Sequence, residues 1–299
     1  MVTSRNYKIL GDFSKVSQFL HDEYNKQKYK VFPQPMLEYA QTHPCFDYQL
    51  AHRCKIWEED GKIVGFVCFE CNIGDVYLLA DENHSYLYDE MLQYAEENLS
   101  GVTAEGAHYV IIAWDKADDK MSNLLAKRGY QNRRIEPNLI YDYSKGFEHK
   151  PLPEGYELIT LEDENDFNKI DKCLWLGFDH GTEEEYEEQR QEKDIDARAT
   201  MQTGPNFMKE LSFVVKSLNG DYVCFASMWL DGDNNYAYLE PLATVPSHRG
   251  KGLATITLME AMKATLKYGA KYCIGGSIDF YKDIGFEKLG DTVYWIKKW

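Results

Sequence analysis

The chain has 299 residues, room for two domains of roughly 150 residues each. Its 49 Asp and Glu against 33 Lys and Arg give a net charge of −16, which excludes the basic footprint of a general nucleic-acid binder and favours a cationic partner such as an amine only weakly. No apolar run approaches the ~18 residues of a membrane helix, and the opening MVTSRNYKILGDFSKVSQFL has no signal-peptide core, so a cytoplasmic protein without nucleic-acid or membrane partners is expected. The seven scattered cysteines suit reduced thiols. Cys68 and Cys71 form a lone C-x-x-C inside a strand-like run, which reads as strand packing, and no metal site is expected.

In chain order, YKILGDFSKVSQFL reads as a short strand and a helix. CKIWEEDGKIVGFVCFE reads as a hairpin turning at Asp60-Gly61. DVYLLA (strand), HSYLYDEMLQYAEENL (helix) and HYVIIAW (strand) follow, and LLAKRGYQNRRIEPNLIYDY ends the half on a short helix and a strand. HKPLPEGYELITL, with two prolines and a glycine, reads as a boundary, dividing the chain into domains 1–150 and 151–299. The same order then recurs. YELITLEDENDFNKI opens it, LSFVVKSLNGDYVCFASMW turns at Asn219-Gly220, and YAYLEPLATV leads into LATITLMEAMKATLKYG, an amphipathic pattern on Leu253, Ile256, Met259, Met262 and Leu266 with Gly269 as C-cap. KYCIGG and FYKDIGFEKLGDTVYWIKKW close the chain. The hairpin turns lie 220 − 61 = 159 residues apart and the late glycines 285 − 129 = 156 apart, the mark of a duplicated α+β unit.

VPSHRGKGLAT joins the end of one strand to the start of a helix. Pro246 stops the ladder, Gly250 and Gly252 let the backbone approach a ligand, and Arg249 and Lys251 add positive charge. Unpaired amides and the dipole at a helix start attract anions, so this loop reads as a phosphate cradle. It matches neither G-x-x-x-x-G-K-[ST] nor G-x-G-x-x-G.

Arg249, Gly252 and Ala254 instead read R-x-x-G-x-A, and Phe280-Tyr281-Lys282-Asp283-Ile284-Gly285-Phe286 follows a helix and a strand later. Together these resemble the two hallmarks of the GNAT superfamily of acyl-CoA-dependent N-acyltransferases. The resemblance covers residues 151–299 well, and the first half resembles the same fold without the signature. It implies an α+β fold of two tandem GNAT modules, each a mixed, mostly antiparallel twisted sheet flanked by helices, with only the second active.

Carried over residue by residue, the resemblance implies that Arg249, Gly250, Lys251, Gly252, Leu253 and Ala254 hold the pyrophosphate of acetyl-CoA with their amides. It implies that Leu242, Ala243 and Thr244, with Val245, run along the pantetheine arm. Tyr281 matches the family's general acid, with packing beside Phe280 as its other reading. IGGSIDFY lacks the asparagine frequent there, and Ser277 is the polar residue available for the cofactor. Glu240, a carboxylate inside an otherwise apolar strand, is the candidate base for the acceptor amine, and a solvated outward position stays open. Trp175, Phe178, Asp179, His180 and Tyr186 are the candidates to line the acceptor pocket, within the segment 170–207. The glutamates at 183–185, 187 and 188 read as a solvated helix face. In the first half the matching stretch LLADENHSYLYDEML has no glycine or arginine, Asp81 and Glu82 would repel a pyrophosphate, and Leu125 stands in the place of Tyr281. The resemblance therefore implies acetyl-CoA as acyl donor, no metal, and a small-molecule amine as acceptor. A CoA-binding sensor without turnover, another acyl donor and a protein amine stay open.

Overall fold

A computed structural model describes residues 1–26, 31–192 and 197–299. The first half begins with β1 (Thr3–Asn6), α1 (Ile9–Lys26) and α2 (Gln34–Thr42). The hairpin of β2 (Lys55–Glu59) and β3 (Lys62–Phe69) follows, and its turn at Asp60 and Gly61 has both residues at positive φ, 49° and 79°, as a tight hairpin demands. Next come β4 (Asp75–Ala80), α3 (Tyr88–Asn98), β5 (Gly101–Val102), β6 (His108–Asp115), α4 (Asp119–Lys127) and β7 (Gln131–Asp142).

The second half repeats the order. It has β8 (Tyr156–Thr160), α5 (Phe167–Gly177), α6 (Glu183–Glu192), the hairpin of β9 (Ser212–Ser217) and β10 (Tyr222–Asp231), then β11 (Tyr236–Thr244), α7 (Leu253–Ala264), β12 (Tyr272–Ile274), α8 (Asp279–Asp283) and β13 (Glu287–Lys298). Its hairpin turns at Gly220 (φ 82°), where Ser217 N–H donates to Asp221 O.

The compact units do not follow the expected 1–150 and 151–299 division. One unit is Met1–Gln41, Cys45–Asn138 and Lys288–Trp299; the other is Thr42–Pro44 and Leu139–Glu287. The reason is an exchange of closing strands. In the first unit the strand order is β1-β2-β3-β4-β6-β13, and β13, from the far end of the chain, pairs antiparallel with β6 from Thr292–Asp115 to Lys298–Tyr109. In the second the order is β8-β9-β10-β11-β12-β7, and Ile140, Tyr141 and Asp142 of β7 pair antiparallel with Ile274, Cys273 and Tyr272. Each sheet is antiparallel except for one parallel pair, β4–β6 in the first and β11–β12 in the second. Both are mixed, mostly antiparallel sheets with helices against them, as expected.

The first core is built on Ile56, Trp57, Phe66, Met91 and Ile112, all fully buried. The second gathers Leu139, Met228, Leu239, Met259, Cys273 and Phe286. α7 departs from the expected amphipathic helix. Thr255, Thr257 and Ala261 are buried along with Leu253, Ile256, Leu258, Met259 and Met262, so most of its circumference is covered, and Leu266 lies beyond its end, 47% exposed. Cys68 lies against Cys54 inside β3, whereas Cys71, past the strand end, lies against Cys45; all seven cysteines are free thiols. Among the described residues no helix is long and apolar enough to cross a membrane.

Candidate active site of the second unit

The site starts from a defect in β11. Leu239 faces Met228 and Leu242 faces Ala226, so β11 carries one residue more than β10 between these pairs, a bulge at Glu240 and Pro241. Proline is tolerated there because a bulge leaves a ladder position unpaired. Trp229 Nε1–H donates to Glu240 O at 2.8 Å and pins the bulge. On its other side β11 pairs with β12 at Tyr236–Tyr272, Ala237–Cys273 and Tyr238–Ile274 only. Gly275 N–H, one residue on, donates to Leu139 O on β7. From Leu239 to Thr244, β11 therefore runs on without its parallel neighbour, and a gap opens at the carboxyl ends of the two strands.

The loop 245–252 stands at the end of that gap. Val245 N–H, on the expected pantetheine edge, donates to Val223 O, and Arg249 N–H, one of the expected cradle amides, donates to Pro246 O, so both are engaged within the protein. Ile256 N–H to Gly252 O is the first helical bond of α7. Among the described residues, the amides of Gly250, Lys251, Gly252, Leu253 and Ala254 have no acceptor. Gly250 and Gly252 sit at φ 75° and 78°, and no atom lies within 4 Å of where a Cβ would be at either. Five successive free amides around two left-handed glycines at a helix start form an anion-binding concavity.

Arg249 serves the loop rather than the gap. Its guanidinium donates to Thr244 O (3.0 Å) and Gly177 O (2.8 Å) and pairs with Asp179 at 3.1 Å, tying the loop to β11 and the end of α5. Lys251 Nζ donates to Tyr156 Oη at 2.8 Å, and His248 Nδ1 shares the same hydroxyl at 2.8 Å. Burial and the Lys251 charge hold His248 below its usual range.

Tyr281, in α8, is half-buried between Phe280 and Phe286, with ring centroids 5.2 and 5.4 Å away. Burial pushes its hydroxyl above the usual 10.0, and the nearby Glu240 carboxylate raises it further. The charge of Glu240, at the bulge, thus reaches the Tyr281 hydroxyl, in α8. A Cβ on Gly276 would lie 2.5 Å from the Tyr281 ring, so this glycine seats the tyrosine. In the sequence its only signal is the doublet Gly275-Gly276 just after a strand, which marks a close backbone approach. Ser277 is exposed in the same turn.

The Acetyltransferase (GNAT) family profile matches residues 174–286, the segment that carries this loop, gap and tyrosine. The match spans 113 of the 299 residues. No curated protein matches the sequence. Among solved structures, the chain is similar over its whole length to a tandem GNAT protein from the clavulanic acid biosynthesis pathway, solved without AcCoA (14% identity, TM-score 0.65, 100% of this chain and 98% of that one). It is also similar to a GCN5-related N-acetyltransferase from Sphaerobacter thermophilus (14% identity, TM-score 0.62, 99% and 95%). At such identities the likeness is one of fold, and the fold is that of two GNAT modules in tandem.

The residues expected to line an acceptor pocket part company in this unit. Asp179 is the ion-pair partner of Arg249 and Phe178 caps α5, both largely exposed. Trp175 is half-buried, its ring tilted against those of His180 and Tyr186, and among the described residues its Nε1–H has no hydrogen-bond partner. Tyr186 is 4% exposed and donates to Asn168 O, so it backs Trp175 rather than opening to solvent. Glu183 and Glu187 pair with Lys172 and are otherwise solvated. Residues 193–196 of the expected pocket segment lie outside the described residues.

The first module keeps the GNAT frame and loses these parts. β4 pairs in parallel with β6 only at Asp75–Ile111 and Val76–Ile112 and then runs on to Ala80 paired with β3 alone. The short helical turn Glu82–Leu87 that follows β4 is already capped: Asp81 Oδ1 accepts from Asn83 N–H at 2.9 Å and from His84 Nδ1 at 3.1 Å. Leu125 is fully buried where Tyr281 stands, and the match is structural, since Tyr130 N–H donates to Leu125 O as Phe286 N–H does to Tyr281 O.

Proposed function

We propose that the second module transfers the acetyl group of acetyl-CoA to a primary amine of a small molecule, by direct attack while both are bound, in the cytoplasm. The observation that carries this reading is the combination of three features in one unit: free amides at the start of α7, the edge of β11 beyond its pairing with β12, and a buried Tyr281 hydroxyl within the field of Glu240. The amides from Gly250 to Ala254 fit the pyrophosphate, and the edge formed by Leu242, Ala243 and Thr244 fits the pantetheine arm, with Ser277 at the rim. Acetyl-CoA supplies the activated acyl group as a thioester. Glu240, directly or through water, takes a proton from the acceptor ammonium, because only the neutral amine attacks. A β11 backbone N–H faces the thioester oxygen, where charge develops. As the new C–N bond forms and the C–S bond breaks, Tyr281 gives its proton to the departing sulfur and is reprotonated by the second proton that the nitrogen sheds on becoming an amide. A hydroxyl held above its usual pKa is protonated at neutral pH and suits that role. Trp175 and Phe178 border the acceptor side; Asp179, through Arg249, and Tyr186, behind Trp175, shape it.

The test is thiol release from acetyl-CoA against a library of amines, including amino acids, polyamines and aminoglycosides. Turnover with at least one amine is expected, and Tyr281→Phe should lower kcat by about 10²-fold with acetyl-CoA affinity retained. Saturable binding of acetyl-CoA without turnover, unchanged by Tyr281→Phe, would establish a sensor instead.

A further inference from the structure

The gap between β4 and β6 in the first module encloses a cavity of about 600 Å³, within the range of small-molecule sites. Its walls carry four aromatic rings, Phe32, Tyr77, Tyr88 and Trp114. They form two close pairs, Phe32 with Tyr77 at 4.7 Å and Tyr88 with Trp114 at 4.8 Å between centroids. Its described lining also holds six carboxylates, Glu23, Asp81, Glu82, Asp115, Asp118 and Asp119, against a single cation, Lys120.

The carboxylates have more than one local duty. Asp81, Asp115 and Asp118 accept backbone amides at the turns and helix starts that frame the cavity, and Asp118 also accepts from Trp114 Nε1 at 3.1 Å. Glu23 is different: it comes from α1, is only 4% exposed, and still borders the cavity. Burial pushes the Tyr88 hydroxyl up, and the carboxylates of Asp118, Glu23 and Asp81 add to it, so negative potential converges on this wall. A pyrophosphate meets repulsion there, and its place at the helix start is held by Asp81. A bare metal ion gains little from aromatic faces. A cation with an apolar body satisfies both features, because ring faces and carboxylates attract positive charge while the rings bury hydrocarbon.

We propose that the first module binds a small organic cation, an alkyl- or arylammonium ion, in the cleft that corresponds to the anion-binding gap of the second module. This does not depend on the acetyl-transfer reading.

The full chain is titrated calorimetrically with benzyltrimethylammonium, which has no N–H to acetylate, with benzyl alcohol as neutral control and benzoate as anionic control. The cation should bind one site at least tenfold more tightly than either control, and saturating CoA should not displace it. Glu82→Gln with Asp119→Asn, both exposed and outside the capping bonds, should weaken it about tenfold at an unchanged melting temperature. Ala113→Leu, which narrows the cavity, provides a second variant should the double change unfold the module. Equal binding of benzyl alcohol, displacement by CoA, an affinity unmoved by both variants, or no binding would each overturn the proposal.

Discussion

Gly276 shows how one missing carbon positions a reactive group. It lies at φ 77°, and a methyl there would enter the Tyr281 ring at 2.5 Å. Gly276→Ala is expected to cost about 1–3 kcal/mol, from backbone strain and overpacking. It should lower kcat about tenfold while acetyl-CoA affinity changes little, which calorimetric melting and steady-state kinetics would separate. The raised Tyr281 hydroxyl carries its own signature. Because burial and Glu240 move the ionisation above 10.0, proton donation persists to that pH, and kcat should not fall on the alkaline side below pH 10 through this group. A decline centred near pH 8 in kcat would place the donor elsewhere. Tyr281 and Glu240 were legible in the sequence as residue types at motif positions. That the charge of Glu240 reaches Tyr281 was not, because it depends on a bulge and a glycine pair that motif spacing does not encode.

At the scale of elements, the corner where β8 leads into α5 is held by charge. Glu164 accepts from Lys216 at 2.6 Å and Lys169 at 3.2 Å, and its carbonyl accepts from Tyr222 Oη at 3.1 Å. Lys216, then Lys169, lower the Glu164 carboxyl from 4.5 to about 2. The sign follows: a depressed acid contributes stability above pH 4.5 and loses it as pH falls towards 2. Since Glu164 is partly exposed, solvent screening keeps the contribution modest. Glu164→Gln should flatten the acid limb of melting temperature against pH between 4.5 and 2 and leave the neutral region nearly unchanged. Hairpins and helix starts were readable because their turn and capping residues act locally, as Asp60-Gly61 does. The bulge was signalled only by Pro241 inside an apolar strand. The near-complete burial of α7 was hidden because Thr255 and Thr257 look polar in sequence, yet Thr257 bonds its hydroxyl to Leu253 O and disappears into the core.

For the whole molecule, the duplication was visible and the strand exchange was not, because β7 and β13 satisfy the same antiparallel pairing with either sheet's last strand. Its test is fragment expression. Residues 1–150 lack β13 and residues 151–299 lack β7, so each fragment alone should be poorly soluble, and coexpression should restore a complex with protected amides at Val110 and Ile112, on the side of β6 that faces β13, in hydrogen exchange. A fragment 1–150 as stable as its unit in the intact chain would contradict the exchange. The arrangement also sets a timetable during synthesis. The ribosome finishes β6 by residue 115 but makes its partner at 292–298 only after some 170 further residues, so an apolar sheet margin waits uncovered through most of translation. The two modules then cannot mature one after the other, as tandem domains commonly do, and chaperone demand should peak before the second module is complete.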